Sequence, residues 1–313
     1  MASFVLRRML ATLPVLAIVA LIVFLMLRLT PGDPAAVIVG DAGSAADIAR
    51  VRLQLGLDQS LARQFLAWAA QLAQGNLGES FYLKRGVGEL ILQRLEPTVS
   101  LAGVTIMLAV LISVPLGVLA AWRHGGPLDR CLMSFSVLGF SIPVFVVGYL
   151  MIWLFALKLG WLPVQGYIRV SEGLGDWLRQ LVAPAVTLSI VYIALIARVT
   201  RAAVAEALTE DHVRTARAKG IPEYRVLIRH ALSNAAVPIV TVIGLGIALL
   251  VGGVVITETV FAIPGLGALT VEAILSRDYP VIQGVTLFFS FVYVLVNLLV
   301  DLSYVLFDPR IRY

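Results

Sequence analysis

Six stretches of this chain contain no Asp, Glu, Lys or Arg: residues 9–27, 97–122, 131–157, 180–197, 231–257 and 279–300. Each is at least 18 residues long, and at about 1.5 Å of rise per residue a helix of that length crosses roughly 30 Å of hydrocarbon. None alternates apolar and polar residues over about ten positions, as a membrane β-strand must. The expected fold class is therefore an all-α polytopic membrane protein with six transmembrane helices. Composition agrees: only 14% of residues are charged, against about a quarter in soluble domains. The first stretch follows Arg7 and Arg8, so a signal peptide has to be weighed. Its apolar run is longer than the roughly 7–15 residues of a signal sequence, and Arg28 follows with no small-residue cleavage site, so it is read as a span. The single Cys131 leaves no disulfide framework and no Cys/His metal cluster.

Basic residues orient the spans, because Lys and Arg in short loops stay on the cytoplasmic side. Arg7 and Arg8 precede the first span. Arg123 and Arg130 lie between the second and third, and Arg198, Arg201, Arg214, Arg217, Lys219, Arg225 and Arg229 between the fourth and fifth. The opposite loops are poorer, the last one having only Arg277. Both termini are thus expected in the cytoplasm. The sequence pI of 9.6 is a topology signal and not a nucleic-acid footprint. Three parts are expected: an N-terminus and first transmembrane helix at 1–29, an external loop or cap at 30–96, and a five-helix core at 97–313 with a cytoplasmic loop at about 198–230. The cap is punctuated by Pro31, Gly32 and Pro34 and shows helical periodicity near 48–55 and 61–72.

Several activities are excluded. A phosphate-binding loop ends in Gly-Lys-Ser/Thr, whereas Lys84, Lys158 and Lys219 follow Leu, Leu and Ala. An ion-coupled carrier places Asp, Glu or His inside its spans, and none of the six stretches has one. Glu258 and Asp301 stand at span ends, where snorkelling or capping accounts for them. His124, His212 and His230 lie near cytoplasmic loops, with no H-E-x-x-H spacing. What remains is a membrane pathway driven by another subunit, or a passive channel.

The loop sequence RTARAKGIPEYRVLIRHALSN, residues 214–234, bears on that choice. Residues 213–219 make two helical turns, Gly220 is suited to end them, and Pro222 to start a second segment at 223–232 that leads into the fifth span. Arg214, Arg217 and Arg225 then face solvent or a partner, and Val213, Ala216 and Ile221 offer it small apolar contacts. The residues alone leave two readings open, a grip for a soluble motor and a positive-inside anchor.

At these residues the chain resembles the permease subunits of bacterial ABC importers of the dipeptide/oligopeptide/nickel family, specifically a dipeptide permease B-like subunit. The importers' general signature, Glu-Ala-Ala then Gly then a hydrophobic-Pro ending, falls on Arg214-Thr215-Ala216, Gly220 and Ser233. The peptide branch reads much as RTARAKG, RHAL and N do at 214–220 and 229–234. The resemblance covers the whole chain, through LRLTPGDPA (27–35), LGLDQSL (55–61), QGNLGES (74–80), GWLP (160–163), ETVFAIPGLGAL (258–269), RDYPVIQG (277–284) and DPRIRY (308–313). It implies a type I ABC importer permease fold in the bacterial cytoplasmic (inner) membrane. It also implies a homologous second permease, two ATPase subunits that bind ATP and Mg, and an external substrate-binding protein. The chain itself would bind no cofactor, metal or nucleic acid, and would meet the lipid bilayer. The implied ATPase-coupling loop comprises Arg214, Thr215, Ala216, Arg217, Lys219, Gly220, Ile221 and Pro222. On the other side, glycines allow close backbone approach and a dip toward the pathway. That makes Glu258, Phe261, Pro264, Gly265 and Gly267 the candidates for an external gate. Gly244, Gly246, Gly252 and Gly253 permit tight packing of the fifth span. Dipeptides, oligopeptides, glutathione and nickel chelates all remain open as cargo. An ATP-independent channel or secondary carrier for a small polar solute is the competing function.

Overall fold

The structure is a computed structural model that describes residues 2–29, 34–39, 44–54 and 56–307. Its helices are α1 (Ala2–Leu29), α2 (Pro34–Val39), α3 (Ala45–Gln54), α4 (Leu61–Ala73), α5 (Val87–Trp122), α6 (Pro127–Ser141), α7 (Val144–Met151), α8 (Leu174–Ala207), α9 (Asp211–Ala218), α10 (Glu223–Arg225), α11 (Ala236–Val260), α12 (Leu266–Leu275) and α13 (Tyr279–Phe307). Wider π-helical turns continue α7 over Ile152–Lys158 and α10 over Val226–Leu232. Among the described residues extended pairing is limited to one isolated bridge, Glu79 with Gly86. The chain is all-α, as expected.

Three described helices are long and apolar enough to cross a membrane: α5, α8 and α13. Two more spans follow if each bent pair is counted as one: Pro127–Ser141 with Val144–Lys158, bent by 99°, and Glu223–Leu232 with Ala236–Leu250, bent by 65°. The apolar part of α1, Leu10–Met26, is shorter. Pro97 and Pro115 lie inside α5 and Pro184 inside α8 without ending them. Neighbouring helices in a membrane protein can satisfy the backbone groups that such prolines free. Pro143, by contrast, caps α7 at the sharp bend, with extended ψ.

The chain forms two compact units, one built on Glu96–Ala268 together with the chain from Leu295, the other on Leu6–Leu95 with Leu269–Val294. In the first, α8 is the hub, packing against α6, α7 and α11. Its core holds Leu101, Leu181, Leu188, Tyr192, Ile196 and Ile263. Close approach depends on absent side chains. A Cβ at Gly253 would lie 2.8 Å from Leu188 Cδ1, and Gly244 is covered by Val300. Of the four glycines expected to serve this purpose in the fifth span, Gly252 meets nothing within 4 Å.

In the second unit, Phe24 is buried beneath Phe65 and Trp68, with ring centroids 5.3 and 5.6 Å away. The Gln283 amide donates to the Val23 carbonyl at 3.3 Å. The two helices expected in the cap are α3 and α4, with α4 starting at Leu61 as its periodicity implies. The short α12 was not foreseen. Pro31, Gly32 and the DPRIRY segment at 308–313 lie outside the described residues.

Candidate functional site

The loop at 211–234 folds into two short helical pieces set at a glycine. In α9, Val213 and Ala216 are spaced three apart and buried against Val226, with Leu208 and Ile221 partly covered beside them. Gly220 has φ +74°, a conformation a residue with a Cβ adopts only under strain. It donates to Arg217 O at 2.9 Å while Ile221 N–H donates to Ala216 O at 3.2 Å. These paired bonds satisfy the last carbonyls of the helix, and the apolar contact that accompanies such a cap is supplied by Ile221. Pro222 precedes α10 with extended backbone, and its carbonyl accepts from the amides of Arg225 and Val226 at 2.9 and 3.2 Å.

Two polar clasps span the break. Arg217 reaches Glu223 with both arms of its guanidinium, Nη2 to Oε1 at 2.6 Å and Nε to Oε2 at 3.2 Å. Both side chains are partly exposed, so the pair fixes geometry more than it adds stability. His212 Nδ1 lies 3.0 Å from Glu210 Oε2, and its Nε2 lies 2.8 Å from Asn234 Nδ2. Asn234 also donates to His230 O at 2.8 Å. One neutral tautomer serves both contacts, with Nδ1–H donating and Nε2 accepting. Asn234 therefore ties the return helix back to α9.

The expected apolar contacts for a partner need correction. Val213 and Ala216 face inward because they are the hydrophobic stripe that folds the segment onto itself. The exposed face is Arg214, Thr215, Arg217, Lys219, Gly220 and Pro222, with Arg214 in a loose 3.4 Å pair to Asp211.

Glu258 near the end of α11 is 0% exposed. Its Oε1 accepts from the Thr98 hydroxyl at 2.6 Å and its Oε2 from the Ala268 N–H at 3.0 Å. The same Thr98 oxygen accepts from the Leu266 N–H at 2.8 Å. A carboxylate and a hydroxyl thus cover the amides that open α12, where unpaired N–H groups and the helix dipole both favour negative charge. Of the two accounts expected for Glu258, capping is the one observed. Gly265 and Gly267 make room for it: a Cβ on Gly265 would fall on the carboxylate, and one on Gly267 would stand 2.9 Å from Oε2. Phe261 is buried, and its carbonyl accepts from Gly166 N–H at 2.9 Å, while Pro264 is exposed. The five gate candidates thus separate into a locked group of four and one surface proline.

Residues 113–313 match the family described as binding-protein-dependent transport system inner membrane component, and residues 1–102 match its N-terminal companion family. The chain belongs to this family. Over the full length of both chains, this binding-protein-dependent permease is 52% identical to a probable peptide ABC transporter permease protein of Sinorhizobium fredii. It is 43% identical, again end to end, to a glutathione transport system permease protein of Salmonella paratyphi A. The fold is shared with an inward-facing structure of the MetNI methionine ABC transporter, with TM-score 0.59, 20% identity, and coverage of 70% of this chain and 96% of that one. The chain is a membrane permease subunit of an ABC importer, a transport component and not an enzyme. That decides between the driven pathway and the passive channel which the residues alone left open.

Two centres of this permease were not anticipated. Asp129, in the first turn of α6, is 4% exposed and receives a two-pronged bond from Arg201, Nε to Oδ1 at 2.9 Å and Nη2 to Oδ2 at 2.8 Å. The Gly125 amide adds a bond at 2.9 Å. Arg201 had been counted only as a topology signal. Asp278, 2% exposed, accepts from the amides of Phe81 and Tyr82 at 3.1 and 3.2 Å and from the Ser80 hydroxyl. A lone acid between apolar stretches has no spacing signature, so neither could be singled out before the fold was known.

Proposed function

We propose that the chain forms half of the translocation pathway of a bacterial peptide importer in the cytoplasmic membrane. It pairs with a homologous second permease, receives peptide from an external binding protein, and is driven by two ATPase subunits that hold ATP and Mg. Peptide cargo is supported by the full-length relatives, one named for peptide transport and one for glutathione, itself a tripeptide. Six spans follow if α1 is counted with the three long helices and the two bent pairs. The charge distribution then puts both termini in the cytoplasm and 30–96 outside, with 97–313 as the core.

Coupling to the ATPases runs through the Arg214–Pro222 segment, and the observation that carries this is its build. A two-turn helix whose apolar stripe is satisfied internally presents an exposed face that is basic and small. A left-handed glycine fixes where it ends. Such a knob fits into a groove on a soluble subunit without exposing a hydrophobic patch when free. The outer loop from Glu258 to Gly267 acts at the other end of the pathway, held by its carboxylate.

The test compares Gly220→Val with Gly160→Val in the complete system reconstituted in vesicles. Gly160 has φ +65°, and neither position has an atom within 4 Å of an added Cβ, so both variants bear the same intrinsic strain of about 1–2 kcal/mol. ATP-driven tripeptide uptake should fall at least tenfold in Gly220→Val and less than twofold in Gly160→Val, at equal membrane abundance. Equal uptake in the two variants would reduce the segment to an orientation signal.

A further inference from the structure

The unit formed by Leu6–Leu95 and Leu269–Val294 contains a cavity of about 580 Å³, within the size range of small-ligand sites. Its lining combines three kinds of group. Trp68, backed by the buried Phe24, supplies an aromatic surface, Gln71 and Gln283 supply amides, and Glu79 and Lys84 supply opposite charges. Among the described residues neither Glu79 nor Lys84 makes an ion pair, although their neighbours Arg85 and Glu89 pair with one another. Both residues are exposed to solvent, so their charged groups stand open to a ligand beside the cavity.

The segment that presents them is rigid and strained. Lys84 has φ +54°, a left-handed conformation that is uncommon for a side chain of this size and is held only where the surroundings enforce it. The surroundings here are explicit. The buried Asp278 carboxylate takes the amides of Phe81 and Tyr82 and the Ser80 hydroxyl, the Ser80 oxygen takes the Leu83 amide at 2.8 Å, and the Lys84 amide donates to Ser80 O at 3.1 Å. On the far side of the turn Glu79 bridges to Gly86. The turn thus holds Lys84 in an unfavourable backbone conformation, at a cavity where its ammonium has no ion-pair partner among the described residues. Strain of this kind gathers at ligand clamps.

We infer that this cavity is a binding site for a short zwitterionic peptide. The peptide carboxylate meets Lys84, its ammonium meets Glu79, its backbone amides meet Gln71 and the Gln283 carbonyl oxygen, and an apolar side chain lies on Trp68. Most of the site's lining belongs to the part of the chain assigned to the outer side. The site rests on the peptide-importer reading and deepens it, because peptide would contact the permease itself and not the binding protein alone. An acyl chain is the poorer occupant, since it would offer nothing to either charge or to the Gln71 amide.

The experiment uses the full permease–ATPase complex in nanodiscs without binding protein, with radiolabelled trialanine as probe in equilibrium dialysis. Trialanine should bind saturably and should bind about tenfold more weakly when its carboxylate is amidated or its ammonium acetylated, the scale of a lost charge-assisted hydrogen bond. Lys84→Asn tolerates the left-handed backbone while removing the charge. It should weaken trialanine about tenfold but leave the amidated peptide unchanged, and Lys84→Arg should restore binding. Glu79→Gln should show the mirror pattern with the acetylated peptide. Absence of saturable binding, or equal binding in wild type, Lys84→Asn and Glu79→Gln, overturns the site. Peptide uptake by the complete system with its binding protein is measured in parallel. Uptake without cavity binding sinks this site alone, and no peptide uptake at all sinks the peptide-importer reading.

Discussion

At the scale of single residues, the outer loop is organised around one carboxylate. Glu258 is wholly buried and fully used by Thr98 and the first amides of α12, so its environment has no slack. Gly265→Ala must displace either the carboxylate or the loop, and breaking a buried, hydrogen-bonded charge costs about 3 kcal/mol or more. Gly252→Ala, in the same apolar neighbourhood of the chain but with nothing within 4 Å, should cost nothing. Melting of the purified protein in detergent should therefore drop by several degrees for Gly265→Ala and stay level for Gly252→Ala. A shift of the same size in both would mean that the carboxylate is not the constraint. Part of this was readable in advance. Glycines in the ETVFAIPGLGAL motif announce close approach, and a Glu at a span end announces capping or snorkelling. The partner was not readable, because Thr98 lies 160 positions away and a threonine beside a proline has no distinguishing pattern.

At the scale of elements, charge-free windows located the long helices α5, α8 and α13 but not the bends elsewhere. The window at 131–157 spans the 99° bend between α6 and α7, and the one at 231–257 contains the break that follows Leu232. A count of charges is blind to a turn made inside apolar sequence. Pro143 and the Ser233–Asn234 pair mark the places, but Pro97, Pro115 and Pro184 sit unbroken in α5 and α8, so proline alone does not discriminate. In the loop at 214–234 the helix stop at Gly220 and the restart after Pro222 were legible, since both follow from backbone sterics. The side facing outward was not, because Val213 and Ala216 find their partner, Val226, only after the chain reverses. Asn234→Ala removes the bond to His212 and should loosen α9. Trypsin cleavage after Arg217 and Lys219 in the permease without its ATPases should then rise several-fold, while cleavage after Arg63, in α4 of the other unit, stays constant. Unchanged protection would show that the His212 contact is incidental.

At the scale of the whole molecule, the distribution of basic residues makes a topology that chemistry can check. Ser60 is exposed and its side chain makes no capping bond at the start of α4, so Ser60→Cys in a Cys131→Ser background leaves the fold undisturbed. It should react with an impermeant maleimide in intact, outer-membrane-permeabilised cells, whereas Ser233→Cys should react only after lysis. The reverse pattern would invert the assignment of the two sides. The same orientation gives the 65° elbow between Glu223–Leu232 and Ala236–Leu250 a mechanical meaning. Under the proposed coupling, with α9 clasped to the outer arm by Arg217–Glu223 and to the elbow itself by Asn234–His212, the segment would act as a bell crank. A push delivered at one arm would then be passed round the bend to α11. The motor need not move in the direction in which the pathway opens.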